Sequence, residues 1–426
     1  MTDRERPNII LIHWHDLGRH LGAYGLEWVD SPNVDALAAD GVRFDEAHCA
    51  APLCSPARGA MMTGRYPHAN GLMGLAHLGW SYRAGERTLA SRLGEEGYRT
   101  ALIGHQHESD DPRTLGYDEV QDARRPGEQH YCDVVTDRAV SWLENAHRHR
   151  TPFFASIGFF EVHRPYPGEL YPPDDPHTVD VPAWLPDNEH VRADLAGLQS
   201  AIRIADRAVG RILDALDRTG LDRTTWVIFT TDHGLAFPGA KSTLFDRGTS
   251  VALIQRLPRA WGVEPGVCTE LVSHVDLVPT VLEVIGAEPD PTVHGTSHAQ
   301  WLLDRTPTHA DAVYTEKTYH DDYDPMRAIR TDRYKLIVNY EQRPTLLLPK
   351  DIEDSPSRAG IGEDHLQPRA EVELYDLVED PLESVNLAAD PAYAEVLRDL
   401  SERLRAWQER TDDPLLAGAI AQPVRA

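Results

Sequence analysis

Cysteine and lysine are both scarce in this chain of 426 residues. The four cysteines, Cys49, Cys54, Cys132 and Cys268, are too few for a disulfide scaffold at this length and lack the paired spacing of a zinc knuckle. A reducing compartment is the expectation. Lysine occurs four times, as Lys241, Lys317, Lys335 and Lys350, the remainder of the 42 basic residues being arginine. Acidic residues number 68, and the resulting net charge of −26 excludes a general nucleic-acid or anionic-membrane surface, so that an anionic ligand needs a local basic site. No apolar run approaches the length of a membrane span, and the opening stretch MTDRERPNIILIHWHDLG carries charges where a secretory leader has its apolar core. On these grounds a cytoplasmic protein is expected, with neither nucleic acid nor membrane as a partner.

What is present is an alternation of two periodicities. NIILIHW (8–14), YRTALIG (98–104), FFASIGFF (153–160) and TWVIFTT (225–231) are short, nearly continuous apolar runs. Such runs read as strands buried on both faces of a largely parallel sheet. Helical patterns lie between them, the longest within LAGLQSAIRIADRAVGRILDALDRTG, where Ile202, Ala205, Val209, Ile212, Leu213 and Leu216 recur at helical spacing. The expected fold class is therefore α/β, a large domain with a mostly parallel sheet. From about residue 312 the pattern changes: MRAIRTDRYKLIVNY reads as a hairpin turning at an aspartate, EVELYDL as a further strand and AYAEVLRDLSERLRAWQERT as an amphipathic helix. We expect a catalytic domain over 1–311 and a smaller C-terminal α+β subdomain with an antiparallel sheet over 312–426. The stretch RPTLLLPKDIEDSPSRAGIGEDHLQP reads as an irregular, surface-exposed loop, and loops such as 164–190 and 316–326 as the seat of specificity.

In doubly wound sheets the ligand site lies beyond the carboxyl ends of the strands. Polar clusters follow the runs here: HWHD after the first, HQH after the second, EVHRPY after the third and DHG after the fourth. Asp16, Asp232 and His233 could thus meet at one rim and hold a divalent cation, although a DHG aspartate can equally cap a helix. Lys241, retained in FPGAKSTLF by a chain that otherwise favours arginine, is either an anion contact or a solvated surface lysine. His107 and His163 are placed like Asp232, after strands. Cys54, in APLCSPARGAMMTGRYPH, is either a buried structural thiol or a reactive one.

CSPAR followed by MTGRYPH resembles the signature of the type I sulfatases, in which the cysteine of C-x-P-x-R is oxidised after translation to formylglycine. The opening RPNIILI with its DLG, SPNVDALAADGVRFDEAHC, TTDHG and ELYDLVEDPLESVNLA occur in the family's order, so the resemblance to this branch of the alkaline phosphatase superfamily spans nearly the whole chain. HLGAYG, PHANGLMGL, YDPMRAIRTDRYKLIVN and LRAWQERTDDP look most like members resembling heparan N-sulfatase (sulfamidase). The resemblance implies hydrolysis of an O- or N-sulfate of a small molecule or saccharide. By the family pattern Cys54 is the nucleophile precursor, Arg58 contacts the nucleophile and the metal region, and His107 and His163 touch the sulfate or protonate the leaving atom. Lys241 contacts the sulfate, and Asp16, Asp232, His233 and the modified Cys54 surround one divalent metal, calcium in the family. A formylglycine-generating enzyme is the implied maturation partner.

Two departures bear on that reading. Where the family has two adjacent aspartates, this chain has His15-Asp16, and imidazole suits Mn²⁺ or Zn²⁺ better than Ca²⁺. Where the family has GKWH or GKKH, it has GHQH, so that His105 replaces a sulfate-holding lysine as a substrate contact. These changes keep two other functions open: a phosphonate monoester or phosphodiester hydrolase on the same scaffold, and a non-catalytic anion-binding protein. The oligomeric state is not set by the sequence, a homo-oligomer being compatible with it.

Overall fold

The computed structural model describes residues 5–121, 129–308 and 310–423. Its strands are β1 Asn8–Trp14, β2 Val42–Phe44, β3 Ala47–His48, β4 Arg99–Gly104, β5 Glu119–Gln121, β6 Phe153–Gly158, β7 Thr225–Thr231, β8 Leu253–Arg256, β9 Gly266–Cys268, β10 Val272–Ser273, β11 Val313–Tyr319, β12 Tyr323–Arg330, β13 Tyr334–Asn339 and β14 Val372–Asp376. Eight of them form the main sheet in the order β5-β4-β6-β1-β7-β8-β2-β9. The five from β5 to β7 run parallel, while β8 is antiparallel to both its neighbours. β1 lies at the centre, and its alternate side chains enter different cores: Ile10, Ile12 and Trp14 pack on one face, Ile9 and Leu11 on the other. Burial of both faces is why these strands read as continuous apolar runs rather than alternating ones.

Pairing register aligns the carboxyl ends of the central strands. His13 stands opposite Gly158 on β6 and Thr230 on β7, so the segments that follow β1, β6 and β7 leave the sheet side by side. The third apolar run is shorter as a strand than expected, since Phe159 and Phe160 lie beyond the end of β6. Helices Tyr131–Ala146 and Glu189–Thr219 cover the face that carries Trp14, and helix Cys54–Thr63 lies against the other.

The second sheet is antiparallel in the order β11-β12-β13-β14, with Thr331, Asp332 and Arg333 between β12 and β13 where the hairpin turn was expected. Leu400, Leu404 and Trp407 of helix Ala394–Arg410 pack on Ile329, Leu336 and Leu374 of this sheet. Ala50, Ala60 and Tyr66 belong to the same apolar cluster, so the second sheet and its helix pack against the end of the cysteine helix and the segments beside it.

Two expectations are corrected. Much of 316–326 is not an irregular loop but the end of β11 and the start of β12. Its charges disguise it, for Glu316 and Lys317 are buried and paired, Glu316 with His68 and Lys317 with Asp324. Nor is 343–368 wholly exposed. It contains the short helices Lys350–Glu353 and Pro356–Gly360, and Ile352 and Ser357 are fully buried.

Candidate active site

Cys54 opens helix Cys54–Thr63 directly after an extended Leu53, which places its side chain at the amino-terminal end of the helix. Amides at such an end face an anion favourably. The Cys54 thiol is 2% exposed, its Sγ lying 3.4 Å from His233 Nε2 and 3.9 Å from Asp16 Oδ1. One turn on, the buried Arg58 donates from Nε to Asp232 Oδ2 at 3.2 Å and from Nη2 to the Trp14 carbonyl at 3.3 Å, with His13 Nδ1 against Nη1. His13, which stands two residues before His15, thus fixes the arginine.

β1 and β7 deliver the carboxylates. Asp16 turns the chain with a φ of +54°, a conformation uncommon for a residue with a side chain and often found at functional sites. Its amide donates to Asp232 Oδ1 at 2.9 Å, and the His233 amide donates to the same oxygen at 2.9 Å. Burial opposes ionisation of Asp16, yet Lys241, His163 and His233 hold its carboxyl well below the usual range. Asp232 is held low against the same burial by His233, Arg58 and His15. His233 Nε2 lies 3.1 Å from Asp16 Oδ1, and the two aspartates outweigh burial to raise its pKa well above that of an ordinary imidazole.

Lys241 is buried, which removes the surface-lysine alternative. Its Nζ donates to Asp16 Oδ2 at 3.0 Å and to Asp351 Oδ2 at 2.7 Å, and these carboxylates overcome burial to keep it charged. The following residue, Ser242, has a φ of +70°. Its amide donates to the Pro52 carbonyl at 3.0 Å and its carbonyl accepts from Lys317 Nζ at 3.2 Å, so the lysine turn is tied to the chain just before Cys54.

The imidazoles gather opposite. The rings of His15 and His105 are 4.6 Å apart and those of His15 and His163 5.5 Å. His107 lies 6.2 Å from His15 and stacks on His77, Nε2 meeting His77 Nδ1 at 3.0 Å. His163 places Nδ1 on the Arg164 carbonyl and directs Nε2 to within 3.7 Å of Asp16 Oδ2. Burial, with Arg58 second, lowers His15 to about 3, and burial followed by the neighbouring His15 takes His105 and His107 well below the ordinary value. These three rings therefore enter the site as neutral donors and acceptors, leaving Arg58 and Lys241 as its fixed cations.

The donor set suits a metal. His15 is 1% exposed and neither of its ring nitrogens makes a hydrogen bond, although Nδ1 stands 3.1 Å from Asp232 Oδ2. One ligand atom from each of His15, Asp16, Cys54 and Asp232 falls within 4.8 Å of the others. A buried, orphaned imidazole beside two carboxylates is what a divalent cation with nitrogen and oxygen ligands requires.

Asp351 was missed in the sequence. It sits in an acidic stretch with Glu353 and Asp354, where nothing in the pattern sets it apart. His77, in the segment after the cysteine helix, gave no spacing signal either. The segments bearing His163 and Asp351 are joined through Asp194 of the long helix, which accepts both terminal nitrogens of Arg164 at 2.6 Å and the Ser357 amide at 3.2 Å. Asp194→Ala leaves Arg164 buried without its carboxylate partner, holding only the Ala236 carbonyl through Nε. A loss of about 3–5 kcal/mol in unfolding free energy is expected, read as a fall in the urea midpoint.

The chain is similar to known proteins both in sequence and in fold. Residues 7–287 match the sulfatase family and residues 236–359 the C-terminal region of N-sulphoglucosamine sulphohydrolase. The chain is similar to human N-sulphoglucosamine sulphohydrolase, 29% identical over 96% of this chain and 92% of that protein. It is similar also to an ulvan-active sulfatase of Formosa agariphila, 28% identical over 99% of this chain and 83% of its relative. Among solved structures, a protein in complex with its substrate D-glucosamine-2-N,6-O-disulfate superimposes with a TM-score of 0.76 at 21% identity, covering 96% of this chain and 99% of the other. The phosphonate monoester hydrolase of Agrobacterium radiobacter shares the fold at a TM-score of 0.75 and 22% identity, with 97% of each chain covered. The chain belongs to the sulfatase family and is a sulfuric ester hydrolase.

Proposed function

We propose that this enzyme hydrolyses an O-sulfate or N-sulfate of a small molecule or saccharide, using formylglycine made from Cys54 and one divalent metal. The observation that carries the reading is the meeting of Cys54, Asp16, Asp232, His233, Lys241 and His163 at one end of the parallel strands. Formylglycine, once hydrated, supplies a hydroxyl that attacks sulfur and a second hydroxyl whose deprotonation expels sulfate. His15, Asp16, Asp232 and His233, beside the modified Cys54, would hold a divalent cation, which would supply positive charge to the sulfate oxygens.

The chain's own residues do the rest. Arg58 spans Asp232 and the Trp14 carbonyl and so fixes the helix end that presents residue 54. Lys241 offers a desolvated ammonium to a non-bridging oxygen. His163, with Nε2 turned into the site, passes a proton to the leaving oxygen or nitrogen, and His107, steadied by His77, lies within reach on the other side. His105 replaces a fixed charge with a neutral imidazole and contacts the sulfate by hydrogen bonding. A cleft of about 480 Å³ lined by Arg164, Pro165, Tyr166, Pro167 and Asp351 meets the site only through Asp351. A cytoplasmic address and the acidic surface together favour a small imported substrate, with maturation by a formylglycine-generating enzyme.

The neutral imidazoles at His15 and His105 favour one second reading, a phosphonate monoester or phosphodiester hydrolase. Turnover of an aryl sulfate, a sulfamate, a phosphonate monoester and a phosphodiester separates the two, and phosphorus esters turned over far faster than sulfates overturn the first. Lys241→Ala is expected to lower kcat/KM for sulfates by about 10²–10³-fold. An unchanged value in a folded variant returns Lys241 to a purely structural role.

A further inference from the structure

The cations that meet the sulfate are not free. Lys241, buried and facing Asp16, gives its shortest ion pair to Asp351, at 2.7 Å, and the same Asp351 oxygen is 4.0 Å from His163 Nε2. Asp351 thus touches two residues assigned above to the sulfate and its leaving atom. One ligand atom from each of Asp16, His163 and Asp351 lies within 4.8 Å of the others. The other oxygen of Asp351, Oδ1, is buried without a hydrogen-bond partner. The carboxylate reaches the site from the helix Lys350–Glu353, far in sequence from the strand ends that supply the rest. Placing a third carboxylate among so few cations weakens any anion site, so its presence calls for a function other than tighter binding.

We propose that Asp351 is a specificity-determining residue that sets the charge of the anion the site accepts, admitting monoanionic esters and rejecting dianions. The inference rests on the reading of Lys241 and His163 as sulfate contacts. A sulfate ester, a sulfamate and a phosphonate monoester each carry one negative charge at neutral pH, whereas a phosphate monoester carries close to two. A fixed carboxylate a few ångströms from the bound anion repels each of those charges, and the second unit of charge is repelled in addition to the first. The reaction itself turns a monoanion into a dianion: water and the ester give the free alcohol or amine and sulfate, which sheds its proton at neutral pH. Asp351 therefore also favours release of the product over retention of the substrate.

The test uses the matured, metal-loaded enzyme and two inorganic probes, the sulfamate monoanion and the sulfate dianion, with dissociation constants from calorimetry and from competition. Asp351→Asn removes the charge and keeps the shape. It is expected to tighten sulfate binding about tenfold more than sulfamate binding, and to raise phosphate-monoester turnover relative to sulfate-ester turnover. Asp351→Glu is expected to keep the wild-type ratio, and melting temperatures check that both variants fold. If the two anions shift equally, or sulfate binds more weakly in Asp351→Asn while wild-type enzyme still turns over sulfate esters, the charge filter is overturned and the sulfatase reading stands. If the wild-type enzyme neither binds these anions nor turns over sulfate esters, the underlying reading fails and the filter with it.

Discussion

Replacing Cys54 by serine is expected to lower steady-state sulfate-ester turnover by at least about 10⁴-fold while leaving a burst of leaving group equal to the enzyme present. A hydroxyl at this helix end keeps the attack, with Arg58 and Lys241 still in place. What it lacks is the second hydroxyl on the same carbon, so the sulfated side chain has no internal means of expelling sulfate and the enzyme stops after one cycle. Serine is close to cysteine in size, and the thiol makes no short hydrogen bond that the fold depends on, its nearest contacts being 3.4 and 3.9 Å. A defect in chemistry therefore separates from a defect in folding. Mass spectrometry of the tryptic peptide across position 54 gives the second readout: an aldehyde in the wild-type protein coexpressed with a formylglycine-generating enzyme, and a trapped sulfate ester in the variant. Full turnover by the variant, or by a wild-type protein whose thiol is intact, would falsify the formylglycine mechanism.

The strand ends were legible because each carries its chemistry next to a strongly apolar run. Asp16, His107, His163 and Asp232 follow β1, β4, β6 and β7, and parallel pairing brings such ends together whatever the loops do. The cysteine helix was legible for a similar local reason, since CSPAR is contiguous. What stayed hidden was held by tertiary contact alone. Asp351 is separated from Lys241 by 110 residues, and its neighbours in sequence are acidic too. Lys317 and Glu316 fall in a stretch that reads as a loop, yet they are buried strand residues, Lys317 paired with Asp324 on the neighbouring strand and Glu316 with His68 from outside the sheet. A charged residue in sequence advertises exposure, and the fold reverses that wherever it supplies the counter-charge.

Metal dependence follows the same logic of partners. Chelation is expected to abolish turnover, and Mn²⁺ or Zn²⁺ to restore it better than Ca²⁺. Calcium asks for six to eight oxygen ligands, and this site offers the carboxylates of Asp16 and Asp232 together with the orphaned imidazole of His15 and the imidazole of His233. Nitrogen donors favour the later first-row ions. The neutral state of His15 helps, since burial and the adjacent Arg58 keep the second proton off the ring and leave one nitrogen free to donate its lone pair. His15→Asp replaces that imidazole by a third carboxylate and is expected to move the preference toward Ca²⁺ by about 10–100-fold. Metal content after dialysis against an equimolar mixture of the three ions reads the preference without relying on activity. Equal loading of all three ions in both proteins would remove His15 from the coordination shell. It would leave the ring as a packing partner of His105 and Phe160, whose centroids lie 4.6 and 5.6 Å away. A shift in loading that the single substitution reverses ties the choice of ion to this one departure from the family's paired aspartates.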